Sequence, residues 1–162
     1  YSMNHMSLII NADDLGYSSE RDAGIFHAFE CKAITAASLI VNGPSAESAA
    51  KKAKEVGLYL GMHLNLTEGK SLSGPSAITT DKNLLYYKCE FWNLIGHSVA
   101  DYADAIHDET SAQMERFKTL TGSYPKHVDG HQHVHIFPGM PDLLAPIFKE
   151  YGVLSVPGVG WV

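Results

Sequence analysis

Short apolar runs alternate with stretches of helical periodicity along most of this chain. The apolar runs, which are typical of buried strands, cover 7–12, 37–42, 58–66 and 153–156, and the helical patterns cover 18–31, 45–56, 101–120 and 141–151. Repeated strand and helix units predict an α/β protein with a largely parallel sheet and right-handed crossovers. Such a sheet is either closed as a barrel or open and doubly wound. In both architectures the chemistry gathers at the carboxyl ends of the strands.

Length and composition predict one folded domain. The 162 residues are 45% hydrophobic and 19% charged, which is enough apolar material for one core. Residues 7–162 are expected to form this domain. A complete β/α barrel needs about 250 residues, so if the sheet closes as a barrel, this domain lacks its C-terminal strands. Residues 1–6 break the pattern and contain two methionines, and they are predicted to be a cloning remnant before a native start near Met6. Residues 67–87 are predicted to be a long loop that covers a substrate.

The charge balance and the cysteines limit the partners and the compartment. Lysine and arginine total 12 against 18 acidic residues, and without a basic stripe a nucleic-acid partner is disfavoured. No apolar stretch approaches the roughly 20 residues of a membrane helix, so no membrane partner is expected. Cys31 and Cys89 are far apart and form no CxxC motif, which favours a reducing, cytoplasmic compartment. The sequence leaves open whether the chain forms a homo-oligomer.

Polar side chains follow three of the predicted strands. Asp13 and Asp14 come after the first strand, His63 lies near the end of the third, and His131 belongs to a later segment. Two imidazoles and one carboxylate suit a divalent metal that keeps exchangeable positions, and the second carboxylate can act as a base. Spacing alone does not choose between Asp13 and Asp14, nor between His131 and His133. The alternatives are a helix-capping turn at the acidic pair and an ordinary hydrogen-bonded strand histidine.

Four of the nine histidines lie between His127 and His135. If this segment is a strand, alternation puts residues 127, 129, 131, 133 and 135 on one face. Burying four imidazoles and the carboxylate of Asp129 without a metal or a cleft would be costly, so the pattern favours a functional cluster. A solvated edge strand is the alternative. Members that are not ligands would orient the ligands or move protons.

Four motifs in this order resemble the YdjC-like carbohydrate deacetylase family. They are Asn11–Gly16 (NADDLG), Val41–Gly43 (VNG), Gly61–Gly69 (GMHLNLTEG) and Asp129–His135 (DGHQHVH) followed by Pro138. Gln132 stands where many relatives carry a histidine, so this position does not require an imidazole. The resemblance implies a TIM-like β/α barrel. It also implies an activity that removes the acetyl group from N-acetylated amino sugars or chitooligosaccharides by hydrolysis of the amide bond, releasing acetate.

The resemblance also implies roles for individual residues. Asp13 is expected to be the proton acceptor, and Asp14, His63 and His131 are expected to hold a divalent metal, usually magnesium, with zinc or another transition metal as the alternative. The remaining candidates are Asp129, His133 and His135 as orienting groups or general acid, and Asn65 and Glu68 as groups that hold a small acetylated sugar.

Two other functions compete with the deacetylase interpretation. Clustered histidines and paired aspartates also suit a two-metal amidohydrolase or phosphoesterase on a similar barrel. A catalytically silent sugar-binding protein that keeps the metal pocket is the other alternative. Two ions per chain would favour the first, and sugar binding without acetate release would favour the second.

Overall fold

The computed structural model describes residues 8–157 and 160–161, and the predicted remnant at 1–6 lies outside them. A parallel sheet has the strand order β1-β2-β3-β4. Its strands are β1 (Asn11–Leu15), β2 (Ala36–Leu39), β3 (Tyr59–Leu64) and β4 (Val128–Gly130). The helices are α1 (Ser19–Glu30), α2 (Ala46–Val56), α3 (Lys88–Ile95), α4 (Ala103–Thr121) and α5 (Met140–Glu150). The short strand β5 (Ser155–Val156) pairs antiparallel with β6 (Gly160–Trp161).

The sheet forms a half-barrel. Each of the four strands pairs in parallel with the next one along the chain. A parallel bridge between His127 and Ser155 carries the same order on to β5. A doubly wound sheet requires a reversal of strand order, and strands β1 to β4 contain none. Parallel strands in one order place all their carboxyl ends on the same edge.

Local signals set the ends of several helices. Ser18 caps α1 because its hydroxyl accepts a hydrogen bond from the backbone N–H of Arg21 at 3.3 Å. Gly57 ends α2 and Gly122 ends α4, both with the positive φ that favours glycine. The alanine face of α2 is buried against the sheet. These features agree with the helices predicted over 18–31, 45–56 and 101–120.

Two predicted strands are wrong in their bounds. The first was expected over 7–12, but β1 begins at Asn11, and Leu8 and Ile9 are exposed. Asp13 and Asp14 therefore lie within the strand and not in a loop after it. The alternating segment from His127 to His135 is a strand only up to Gly130, because a kinked 3-10 segment with left-handed residues at Gln132 and His133 occupies His131–Ile136. Alternation therefore does not place residues 131, 133 and 135 on one face.

Residues 67–87 contain no helix, as predicted, and are tied together by two isolated antiparallel bridges, Lys70 with Leu84 and Thr79 with Leu85. Helix α3 and a 3-10 turn at Val99–Tyr102 follow this loop and were not predicted. In the described part of the chain, no helix combines the length and the hydropathy needed to cross a membrane.

Candidate metal centre

The acidic pair lies at an irregularity of β1. Ala12 pairs with Ala37 and Leu15 pairs with Leu39, so β1 holds one residue more than β2 over this stretch. Asp14 has a φ of 65°, a left-handed conformation that such a bulge can accommodate. Strict alternation would put neighbouring side chains on opposite faces. Here both Asp13 and Asp14 have a carboxylate oxygen within 4.8 Å of a ring nitrogen of His63.

Three strand ends bring one carboxylate and two imidazoles together. Asp14 Oδ1 lies 3.2 Å from His63 Nε2 and 2.8 Å from His131 Nδ1. His63 belongs to β3, and His131 is the first residue after β4. Both histidines are buried, whereas Asp14 is partly exposed. This group could hold a divalent metal, because its donor atoms lie within 4.8 Å of one another.

The far nitrogen of each imidazole contacts another carboxylate. His63 Nδ1 contacts Asp129, and His131 Nε2 contacts Glu68. In metal sites a carboxylate on the outer ring nitrogen orients the histidine and raises its basicity. The two contacts leave His63 Nε2 and His131 Nδ1 directed at Asp14.

Charge pairing shifts the ionisation of these groups. Hydrogen bonds from His131 and His63 hold the pKa of the Asp14 carboxyl well below its usual range. Burial alone would lower the pKa of His63, but its hydrogen bonds to Asp129 and Asp14 outweigh burial and raise the pKa to about 9. The other oxygen of Asp14 accepts a hydrogen bond from Arg21 at 2.5 Å. Asp14 is therefore ionised, and the metal-free His63 is a cation at neutral pH.

A polar network holds Asp129 and Asp13. Asp129 Oδ2 accepts hydrogen bonds from Ser38 Oγ at 2.8 Å and Asn11 Nδ2 at 3.3 Å, and it lies 3.2 Å from His127 Nε2. Asp13 Oδ1 lies within reach of the same two donors, at 2.9 Å from Asn11 Nδ2 and 3.4 Å from Ser38 Oγ. Asn11 can donate to both carboxylates through its two amide hydrogens, and it thus links Asp13 of β1 to Asp129 of β4.

A cavity of about 330 Å³ opens beside this network. Its polar lining includes Asp13, His63, His127, Asp129, His133 and His135. His133 is exposed, with a φ of 62° within the 3-10 segment. His135 is buried, and its Nε2 donates a hydrogen bond to the carbonyl oxygen of Pro157 at 2.9 Å. Burial lowers the pKa of His135, so its ring is neutral at pH 7.

The two loop residues predicted to hold the sugar have different surroundings. Asn65 is buried, and its side-chain oxygen accepts hydrogen bonds from the backbone N–H groups of Thr67 and Glu68. Its amide nitrogen donates to the carbonyl oxygen of Glu68 at 2.9 Å and to Asn42 at 3.1 Å. The carboxylate of Glu68 contacts His131. Asn65 therefore shapes the turn that carries Glu68, and sugar contact by either residue stays a prediction.

Sequence reasoning missed several residues that touch the site. Arg21 was treated only as part of a helix, and Ser38 only as part of a strand. Arg21 lies in the first turn of α1, seven residues after Asp14, and Ser38 occupies β2, the strand next to β1. The strand order is the one signal that could have pointed to Ser38. Glu109 and Gln113 of α4 do not touch the site but bind the loop at Ser71 and the backbone of Asn65, and no sequence signal pointed to them.

The chain is similar in sequence to several known proteins. The carbohydrate deacetylases of Mus musculus and Homo sapiens are 40% and 37% identical to this chain, over 90% and 94% of its length and 48% of each relative. The chitooligosaccharide deacetylase of Serratia marcescens is 34% identical, over 90% of this chain and 57% of the relative. The chain thus spans about half the length of the curated relatives it matches.

A solved structure shows the same fold. The crystal structure of a candidate cellobiose-phosphate cleavage protein from Enterococcus faecalis superimposes with a TM-score of 0.79 at 23% identity. The superposition covers 91% of this chain and 57% of the Enterococcus faecalis protein. The family model described as YdjC-like protein matches residues 7–159. With the motif order and the half-barrel, this match shows that the chain belongs to the YdjC-like protein family.

Proposed function

We propose that this chain carries the catalytic edge of a metal-dependent carbohydrate deacetylase on a TIM-like barrel, which releases acetate from N-acetylated amino sugars or chitooligosaccharides. The observation that carries the proposal is the Asp14, His63 and His131 group beside a cavity that Asp13 and His63 line. The names of the relatives, carbohydrate deacetylase and chitooligosaccharide deacetylase, support the substrate class.

The donor set fits a divalent metal. Two imidazole nitrogens and one carboxylate oxygen are common ligands of zinc and of other first-row transition metals, whereas magnesium prefers oxygen donors. A bound divalent cation would polarise the amide carbonyl and lower the pKa of water at the site. The family resemblance favours magnesium, whereas the donor chemistry favours a transition metal such as zinc. Binding measurements with Mg²⁺ and with Zn²⁺ distinguish the two.

Asp13 is suited to accept a proton. Its side chain lines the cavity, and one of its carboxylate oxygens accepts a hydrogen bond from Asn11. A positioned carboxylate within hydrogen-bond reach of the attacking water contributes typically about 10²- to 10⁴-fold to the rate. We therefore assign Asp13 as the base and Asp14 as the ligand, because Asp14 is the carboxylate that faces both imidazoles.

His133 is the better of the two candidates for protonating the leaving amine. His135 is neutral, and its Nε2 hydrogen is already donated to Pro157. His133 lines the same cavity and is exposed to solvent, from which it can take a proton. Asp129 keeps an orienting role through its contact with His63.

Cys31 and Cys89 are exposed free thiols in the structure. Exposed thiols persist in a reducing environment, which supports a cytoplasmic location for the protein.

Acetate release from acetylated chitooligosaccharides, measured together with metal binding by calorimetry, tests the proposal. Asp13→Asn is expected to bind Zn²⁺ like the wild type and to lose about 10²- to 10⁴-fold in acetate release. His63→Ala and His131→Ala are expected to lose both metal binding and activity. The exposed residue Asp101 offers a matched control, Asp101→Asn, which should change neither property.

Three results would contradict the proposal. Absence of acetate release with magnesium, zinc, manganese and cobalt each supplied would exclude the activity for this chain. Tight binding of the acetylated sugar without acetate release would favour a silent sugar-binding protein. Two ions bound per chain would favour the two-metal hydrolase.

A further inference from the structure

A fully buried carboxylate fastens the long loop, residues 67–87, to helix α4. Glu109 has no solvent exposure. It accepts hydrogen bonds from the hydroxyls of Ser71 at 2.7 Å and Ser73 at 2.9 Å. It also accepts from the backbone N–H groups of Leu72 at 3.0 Å and Ser73 at 2.9 Å. One side chain therefore fixes three consecutive residues of the loop.

Gln113, one helical turn later, extends this anchor to the end of β3. Its Nε2 donates to Glu109 at 2.8 Å and to the carbonyl oxygen of Asn65 at 2.6 Å. Its Oε1 accepts a hydrogen bond from the backbone N–H of Asn65 at 3.1 Å. Gln113 is also fully buried. The pair thus holds the chain at Asn65 on one side and at 71–73 on the other.

Glu68 lies between these two anchored points. The Asn65 side chain closes the turn by accepting hydrogen bonds from the N–H groups of Thr67 and Glu68. The turn presents the Glu68 carboxylate to His131 Nε2. A change at either anchor is therefore transmitted to the carboxylate that orients one of the candidate metal ligands.

Burial makes this arrangement costly as a purely structural fastening. A carboxylate removed from water is destabilising unless hydrogen bonds replace its solvation, and an apolar pair would join a loop to a helix without that cost. All the hydrogen-bond partners of Glu109 are neutral donors, and four of the five belong to the loop. Its hydrogen bonds define the position of the loop backbone more narrowly than apolar contact would.

We propose that Glu109 and Gln113 are positioning residues that hold Glu68 against His131 and so set the orientation of this imidazole for metal binding. This inference rests on the proposed function, because it takes the metal centre at Asp14, His63 and His131 as given. Neither residue touches that centre, and both act on it through the segment from Asn65 to Ser73.

The test is calorimetric titration of Zn²⁺ into the metal-free 162-residue chain. Loss of an outer carboxylate typically weakens metal affinity about 10- to 100-fold, and we expect this range for Glu68→Gln. Glu109→Gln is expected to weaken Zn²⁺ binding about 10-fold, because the new amide places N–H donors against loop donors and releases the loop. Asp108→Asn, on the neighbouring exposed carboxylate of α4, should leave the affinity unchanged.

A double mutant separates positioning from general destabilisation. In the Glu68→Gln background, Glu109→Gln should weaken Zn²⁺ binding no further, by less than about twofold, although it still lowers the melting temperature. Should Glu109→Gln not fold, Ser71→Ala removes one of its hydrogen bonds and is expected to show the same non-additivity with a smaller effect.

Two results would overturn the inference. One is a folded Glu109→Gln protein with wild-type Zn²⁺ affinity, and the other is full additivity with Glu68→Gln. In both cases the proposed function stands, because the wild type still binds metal. A wild-type chain that binds no Zn²⁺ would instead remove the metal centre itself.

Discussion

Each candidate ligand histidine is held between two carboxylates. His63 lies between Asp14 and Asp129, and His131 lies between Asp14 and Glu68. Burying an imidazole normally favours its neutral form, but the two carboxylates reverse this preference for His63. The same contacts that orient the ring for a metal therefore stabilise a proton on it when no metal is bound, so protons and metal compete for this residue.

This competition predicts how the stability of the metal-free protein changes with pH. The pKa of His63 is raised from an ordinary value near 6.5 to about 9 in the folded state. Its stabilising contribution is fully present below about pH 6.5 and is lost as the pH rises through 9. Thermal denaturation in the presence of a chelator should therefore show a falling melting temperature between pH 6.5 and 9.5.

Variants identify the group responsible for the fall of the melting temperature with pH. His63→Gln should remove most of this fall, whereas His107→Gln, at an exposed histidine of α4, should leave it unchanged. A wild-type melting temperature that stays constant over this range would contradict the assignment. In acid, stability changes with pH in the opposite direction because of Asp14. The pKa of this carboxyl is lowered in the folded state, so its ionised form stabilises the fold, and this stabilisation is lost as the pH falls below about 4.

Two irregular elements place the site at the strand ends. The bulge in β1 brings both acidic side chains towards His63, and the change from β4 to a 3-10 helix separates the histidines after Gly130. The turn is possible because Gly130 leaves room for the ring of His135. A Cβ at position 130 would lie 2.3 Å from His135 Nδ1 and 2.8 Å from its backbone nitrogen.

Gly130→Ala is therefore expected to destabilise the protein by about 1–3 kcal/mol, as overpacking of a filled site does. It should also weaken metal binding, since His131 is the next residue. Gly24→Ala is the matched control, because the space around Gly24 in α1 is open and alanine favours a helix by about 0.5–1 kcal/mol. Denaturant unfolding measures the free energy of unfolding of both variants. Equal stability of Gly130→Ala and Gly24→Ala would contradict the steric argument.

At the scale of the molecule, β1 is the first strand of the sheet order and has one neighbour in it, β2. The residues just before β1 are apolar and exposed, with Leu8 at 76%, Ile9 at 73% and Ile10 at 43%. An unpaired strand edge beside exposed apolar side chains favours pairing with another chain. The net charge of −6 opposes this association.

We expect the 162-residue chain to associate with itself as its concentration rises. Sedimentation should show a concentration-dependent mass for the wild type, and Ile9→Lys should shift it towards the monomer because a charge at an apolar contact is costly. Leu154→Lys, at a residue that is 53% exposed beside β5, should leave the association unchanged. A monomeric wild type at high concentration would contradict the expectation.

Local patterns were the best guide to the fold. The helices over 18–31, 45–56 and 101–120 were predicted, because their periodicity and their ends at Ser18, Gly57 and Gly122 depend on neighbouring residues. Helix α3 was not predicted. The bounds of β1 and the 3-10 conformation of the segment from His131 to His135 were not predicted. Leu8 and Ile9 look like a strand by composition, but their side chains are exposed and lie outside β1. Alternation cannot reveal a turn that depends on Gly130.

The sequence by itself determined the α/β class, the acidic pair and the histidines that meet at the sheet edge, because periodicity and strand ends are local properties. Only the tertiary structure decided that Asp14 faces both imidazoles, that Asp129 and Glu68 hold their far nitrogens, and that Glu109 anchors the loop. These contacts join residues that are far apart in the chain. Asp14 and His131, for example, are separated by 117 positions. Their geometry follows from the strand order, the bulge and the packing of α4, and no local pattern encodes it.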